Sequence, residues 1–221
     1  MEWARKVIET ADGSKTLFIP AMNEQYHSIN GALTESEYVF LEKGFRHHPS
    51  SSPGIFEVGF GTGLNALLTA LEAEKSGRHT NYTSIEKYPL SEQEINLLGY
   101  GNLSAQAHKT FRLIHEAGWN TDIKISEYFT LHKINGDLQT HQFGINDVYN
   151  IIYFDAFGPD KQPGMWEEHI MNKLFNACSP GAVFVTYSAK GEIRRRLETC
   201  GFKTERLPGP PGKRQMLRGI K

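Results

Sequence analysis

Four carboxylates and one glycine turn are the residues of this chain whose types and spacing suit chemistry. The short apolar run Ile55-Phe56-Glu57-Val58 leads into Gly59-Phe60-Gly61-Thr62-Gly63-Leu64-Asn65, and an Ala/Leu-rich helical pattern begins at Ala66. A strand, a tight turn and a helix N-terminus in that order let backbone N–H groups approach a nucleotide-like cofactor. Glu86 follows roughly 20 residues on, where a carboxylate can accept hydrogen bonds from two ribose hydroxyls. Gly61-Thr62-Gly63-Leu64-Asn65-Ala66 also satisfies a loose dinucleotide pattern. The glycines and Glu86 therefore indicate a ribose-containing cofactor without choosing between a dinucleotide and S-adenosylmethionine.

Charge and topology choose. Glu57 precedes the turn, where S-adenosylmethionine carries a cationic ammonium and sulfonium and a dinucleotide carries a pyrophosphate. A carboxylate suits the former and repels the latter. Asp137 falls at the end of a third strand, placed to accept from an adenine amino group. Each acid alone reads equally well as a strand-end or turn residue. Together, at matching strand ends, they fit the carboxyl edge at which open α/β sheets bind ligands. The expected cofactor contacts are Glu57, Gly59, Phe60, Gly61, Thr62, Gly63, Asn65, Glu86, Lys87, Asp137 and Asp155.

The acceptor side is read from Asp155-Ala156-Phe157-Gly158-Pro159, which ends the apolar strand Ile151-Ile152-Tyr153-Phe154. An amine is mostly protonated at neutral pH, and Asp155 is the expected catalytic carboxylate, taking the proton and orienting the nitrogen. Phe157 or Tyr26 could stack on a base. Trp166 is read as core, and the histidines, His47 and His48 included, as surface residues without metal-ligand spacing. No metal is called for.

These residues need a scaffold of alternating elements. Strands are expected over 55–58, 82–86, 129–134, 148–154, 182–187, 203–207 and 214–220. Helices are expected over 64–76, 91–98, 165–178 and 191–200, with Ser179-Pro180-Gly181 as a helix stop. An irregular stretch runs to Glu127. The short Pro208–Gly212 connection forces the last strand antiparallel. The expectation is a doubly wound, mostly parallel seven-stranded α/β sheet with a C-terminal antiparallel hairpin. Ahead of it, Ala11-Asp12-Gly13-Ser14 signals a hairpin between Arg5–Glu9 and Lys15–Ile19. Thr34-Glu35-Ser36-Glu37 reads as a capping box opening a helix to about Gly44. Residues 1–50 are thus expected to be an extension packed on a methyltransferase domain over 51–221.

Composition agrees with a folded chain: 221 residues, 39% hydrophobic and 22% charged. No apolar run reaches the roughly 20 residues that span a bilayer. With no signal segment and only two cysteines, Cys178 and Cys200, a cytoplasmic location is expected. Net charge is −1, yet residues 187–221 hold ten Lys/Arg against three Asp/Glu. Such a basic end on an acidic body is either a nucleic-acid contact or a solvated face.

The motifs also resemble the methyltransferase component of the bacterial enzymes that make 5-methylaminomethyl-2-thiouridine at the tRNA wobble position. The matching blocks are Glu24–Ser28, Gly31–Leu41, Glu57–Asn65, Ser84–Leu90, Phe154–Trp166 and Gly212–Leu217. The resemblance implies S-adenosylmethionine-dependent N-methylation of a 5-aminomethyl group on wobble uridine, with the tRNA anticodon region as partner. It implies cofactor binding by Glu57, the Gly59–Gly63 turn, Glu86 and Asp137, and Asp155 as the active-site carboxylate. The basic Lys213-Arg214 end joins Tyr26 and Phe157 as expected substrate contacts. Ala156 and Gly158 reverse the commoner Gly/Ala placement. In many bacteria this component is fused to a flavin-dependent oxidase. Here a stand-alone methyltransferase is expected, its aminomethyl substrate made by other enzymes. Outside the resemblance, another amine acceptor, a non-catalytic RNA-binding protein and a dehydrogenase are the competing readings.

Overall fold

A computed structural model describes residues 3–221. The N-terminal hairpin pairs β1 (Lys6–Glu9) with β2 (Lys15–Ile19), and a short third strand, β3 (Glu24–Gln25), adds to β2. The following helix, α1 (Ala32–Ser36), starts earlier than its sequence suggests and passes into a π-helix over Glu37–Phe45. No capping box forms at Thr34. The helix begins after Gly31, at φ +141, and the hairpin caps it from outside. Thr10 and Ser14 hydroxyls accept from Ala32 N–H, and Asp12 Oδ2 accepts from Thr34 N–H at 2.9 Å and from its hydroxyl at 2.8 Å. Thr34 is therefore inside the first turn, its side chain spent on Asp12, and Glu35 is free to face elsewhere. A capping box does form at Ser91 and Glu94.

The main sheet has eight strands: β4 (Gly54–Val58), β5 (Thr80–Glu86), β6 (Asp122–Lys124), β7 (Phe129–Asn135), β8 (Tyr149–Phe154), β9 (Cys178–Thr186), β10 (Lys203–Pro208) and β11 (Gln215–Ile220). Their order is β10-β11-β9-β8-β4-β5-β7-β6. Strand β11 runs antiparallel to both neighbours, as the short connection requires. The strand beyond the expected seven is β6, a three-residue antiparallel edge on β7 within the stretch expected to be irregular.

That stretch also holds α4 (Ala105–Glu116), capped by Ser104 on Ala107 N–H at 3.0 Å. Its buried residues Ala107, Phe111 and Ile114 keep a helical spacing. The remaining helices are α2 (Leu64–Ser76), α3 (Glu92–Leu98), α5 (Glu168–Asn176) and α6 (Gly191–Thr199). Helix α5 is shorter than expected because Pro163–Trp166 forms a separate 3₁₀ turn. Ser179-Pro180-Gly181 stops no helix. It lies inside β9, which pairs with β8 through a register shift between Tyr149 and Ile151, while Gly181 donates to Lys221 O.

Alternate residues of the central strands serve the two faces. Ile55, Tyr153 and Val185 pack under α2, α4 and the π-helix. Phe56, Ile152, Phe154 and Phe184 pack under α5 and α6. Each such side chain contributes about 1.5–3 kcal/mol of burial. Both faces being covered explains why β4 and β8 are near-continuous apolar runs. It also sets the carboxyl ends of β4, β5, β7 and β8 side by side, at the point where the chain order reverses. No helix among the described residues is long and apolar enough to cross a membrane.

Candidate active site

At that edge lies a cavity of about 340 Å³, inside the usual range for small-molecule sites. The turn after β4 forms its floor. Gly59 (φ +90) donates to Ile85 O, and a Cβ there would lie 2.9 Å from Asp155 O. Gly63 (φ +73) ends the turn and starts α2, with Leu67 N–H bonded to its carbonyl. Only glycine holds these left-handed positions at such close approach without strain.

Glu86 braces the turn. Its Oε2 accepts from Gly61 N–H at 3.0 Å and its Oε1 from Tyr88 N–H at 2.7 Å. Each oxygen keeps further acceptor capacity, and Glu86 lines the cavity. Asp137 pairs with Lys87 at 2.8 Å and accepts from Gln139 N–H at 2.9 Å. Burial opposes it, but Lys87 and Gln139 hold its carboxyl below the ordinary range. Phe60, Thr62 and Asn65 also line the cavity, whereas Gly63, expected as a contact, does not, because it closes the turn against Phe60 and His115 at the start of α2.

Glu57 is likewise outside the lining. It is fully buried behind the turn and accepts from Ser84 Oγ at 2.6 Å. Its other oxygen has no partner, and burial pushes its carboxyl up to about 8. Glu57 meets the cavity through its field, not by contact, because the pleat of β4 turns its side chain into the space between sheet and α2. An unsatisfied buried carboxyl beneath a turn rich in N–H groups is a fit for a ligand that carries positive charge on one side and ribose hydroxyls on the other.

A second cavity, of about 300 Å³, adjoins the first. The two share Tyr26, His27, Asp155, Ala156 and Phe157 as walls. Asp155 Oδ2 accepts from Asn65 Nδ2 at 2.9 Å, and its other oxygen takes no hydrogen bond from the described residues. Burial, then the nearby Glu35 and Glu57, push its carboxyl well above the ordinary range, with Asn65 and Lys213 opposing. Tyr26 and Phe157 meet edge to face at 5.1 Å. Trp166 is core as expected, and its Nε1 donates to Phe157 O at 2.7 Å, fixing the loop after Asp155.

Lys213 lines the second cavity, but Arg214 lines neither and is exposed. The hairpin turn presents the two neighbouring side chains in different directions. The expectation that the histidines are surface residues fails for His27 and His48, which are buried. His27 stands between the cavities. Its Nδ1 shares a hydrogen with Thr16 Oγ1 at 2.9 Å, and burial lowers it to about 4, so it is neutral at pH 7. Trp3 and Glu35 also join the walls without having been expected there. Both come from the N-terminal extension, and no local pattern reports a contact made so far along the chain.

A tRNA 5-methylaminomethyl-2-thiouridine biosynthesis bifunctional protein MnmC from Campylobacter hominis is 31% identical over 91% of this chain and 31% of its own length. The protein of the same name from Pseudomonas fluorescens is 32% identical over 89% of this chain and 32% of its own length. The chain thus spans about a third of the curated relatives it matches. The crystal structure of MNMC2 from Aquifex aeolicus superposes with a TM-score of 0.80 at 24% identity, covering 99% of this chain and 70% of that one, which establishes the shared fold. The family described as S-adenosyl-L-methionine-dependent methyltransferase matches residues 102–221, more than half of the sequence. The chain belongs to that family, and its cofactor is S-adenosylmethionine.

Proposed function

We propose that this protein methylates the amine of a 5-aminomethyl group on the wobble uridine of tRNA. The observation that carries the reading is Asp155 in the wall common to two adjoining cavities. One cavity has the size and charge pattern of the cofactor site, and the other opens toward the basic C-terminal hairpin. S-adenosylmethionine, when bound, supplies a methyl group activated by a sulfonium that leaves as a neutral thioether.

The chain's own residues do the rest. Gly59–Gly63, Asn65, Glu86, Lys87 and Asp137 hold the cofactor, with Glu57 balancing its charge from behind. Asp155 accepts a proton from the acceptor ammonium at its uncommitted oxygen, which frees the nitrogen lone pair. A carboxylate raised by burial is a stronger base, so less free energy is lost in taking a proton from an alkylammonium. Asn65 fixes the other oxygen and so the direction in which Asp155 points. Tyr26 and Phe157 contact the uracil ring. Lys213 lies at the pocket, and the exposed Arg214 contacts backbone phosphate beyond it.

The relatives' name supports the tRNA acceptor, as does the basic C-terminal end. In this reading the substrate is the anticodon region, enzymes that install the aminomethyl group act upstream, and the protein works in the cytoplasm. The test is transfer of labelled methyl from S-adenosylmethionine to tRNA bearing 5-aminomethyluridine, followed by nucleoside analysis. Label in 5-methylaminomethyluridine, with tRNA affinity falling steeply with salt, is expected. Cofactor binding without label in tRNA refutes the reading, and label in a small amine or a protein instead moves the acceptor to that class.

A further inference from the structure

The second cavity contains a charge arrangement that the methyl-transfer reading does not use. Glu35 is 6% exposed, on the short helix that follows the hairpin, and shares the cavity walls with Asp155. Its Oε2 accepts from Ser28 N–H at 2.8 Å, and its Oε1 pairs with the ammonium of Lys213. That ammonium also sits 3.8 Å from the centre of the Tyr187 ring. The Tyr187 hydroxyl in turn donates to Ala156 O at 2.9 Å, next to Asp155. A primary ammonium is thus already held in this cavity by a carboxylate and an aromatic face, beside a second carboxylate that has an uncommitted oxygen.

Lys213 lies in the turn between β10 and β11, and its side chain retains 28% of its accessible surface, against 7% for that of Glu35. This cation faces the cavity and has the Tyr187 ring as a second resting place.

We propose that Glu35 selects a cationic primary amine in this cavity, and that Lys213 occupies its carboxylate until the acceptor's ammonium replaces it. The proposal rests on the amine-acceptor reading above and adds the residue that recognises the amine. Glu35 binds and positions the ammonium, and Asp155 removes the proton. Displaced from Glu35, Lys213 keeps its contact with Tyr187 or turns to a phosphate at the mouth.

The test is equilibrium binding, with S-adenosylhomocysteine present, of two anticodon stem-loops that differ only in a 5-aminomethyl group on the wobble uridine. The unaltered protein is expected to prefer the aminomethyl form by about tenfold, the worth of the charge-assisted contact that the displaced Lys213 makes with a phosphate, the exchange on Glu35 itself being near neutral. Glu35→Gln should remove that preference while the plain stem-loop and S-adenosylhomocysteine bind as before, and Glu35→Asp should restore part of it. Lys213→Met, which removes the internal competitor, should bind the aminomethyl form a few-fold more tightly.

Preference retained in Glu35→Gln, or lost in Lys213→Met, overturns the proposal, the second because it makes the pair a structural brace. If the unaltered protein methylates the aminomethyl stem-loop yet binds both forms alike, the inference falls and the proposed function stands. If it methylates neither stem-loop, both fall.

Discussion

Glu57 offers a direct test of how the cofactor site handles charge. Its carboxyl, fully buried with one oxygen unpartnered, is pushed up to about 8. At pH 7 it therefore holds about 0.9 proton. A cation bound above the turn favours the ionised form and pulls the group back toward the ordinary carboxylate range. Binding S-adenosylmethionine at pH 7 should then release about 0.9 proton from Glu57. Affinity should rise about tenfold per pH step between pH 5.5 and 7.5 and level off above pH 8. Calorimetry at pH 7 in phosphate and in Tris gives the proton count from the difference in observed heats. Glu57→Gln keeps an acceptor for Ser84 and removes the titration. It should release about 0.9 proton fewer and show a flatter pH dependence. The same proton count in the variant and the unaltered protein would refute this account of Glu57.

Four further outcomes follow from the geometry. Asp155→Asn should lower turnover by about 10²–10⁴-fold in single-turnover methyl transfer, with a much smaller change in cofactor affinity. Gly59→Ala places a Cβ at φ +90 within 2.9 Å of Asp155 O, so thermal melting should show a loss of about 1–3 kcal/mol together with reduced activity. His27 is neutral in the fold because burial lowers it to about 4. The unfolded chain then binds more protons between pH 4 and 6.5, so stability falls on acidification across that window by about 3 kcal/mol, and His27→Gln should flatten that slope in denaturant titrations at several pH values. Asp12→Ala removes the external cap of α1 and should cost about 1–2 kcal/mol by the same denaturant assay.

The fold was legible where local signals and tertiary packing agree. Helix α2 matches its sequence range because the glycine turn fixes its start and Gly77, at φ +66, its end. Helix α4 was passed over although Ser104 supplies an N-cap and Ala107, Thr110, Phe111 and Ile114 recur at helical spacing, because two of those four core-facing positions are Ala and Thr and the helix is polar on average. The Thr34 capping box failed because an identical local pattern is outcompeted by three hydroxyl and carboxylate acceptors brought in from the hairpin. Ser179-Pro180-Gly181 failed likewise. The hydrogen bond from Gly181 to Lys221 and the shifted register of β9 against β8 consume the segment that turn chemistry alone assigns to a helix end.

The site divides the same way, and the division follows from how each wall is built. Glu86, Asp137 and Asp155 sit at strand ends, so a sequence that reveals its strands also reveals its carboxyl edge. What faces that edge across the acceptor cavity comes from a segment with no regular period. His27 follows a two-residue strand, and Glu35 lies in a five-residue helix, each brought in by the hairpin and its capping contacts. Their neighbours in space, Thr62, Asp155 and Lys213, lie far along the chain, and only folding makes them neighbours. On the proposed reading the cofactor half is therefore encoded locally, whereas the acceptor half is encoded by long-range contacts of this chain. Substitutions in the first should alter whether methyl transfer occurs, and substitutions in the second which amine receives it.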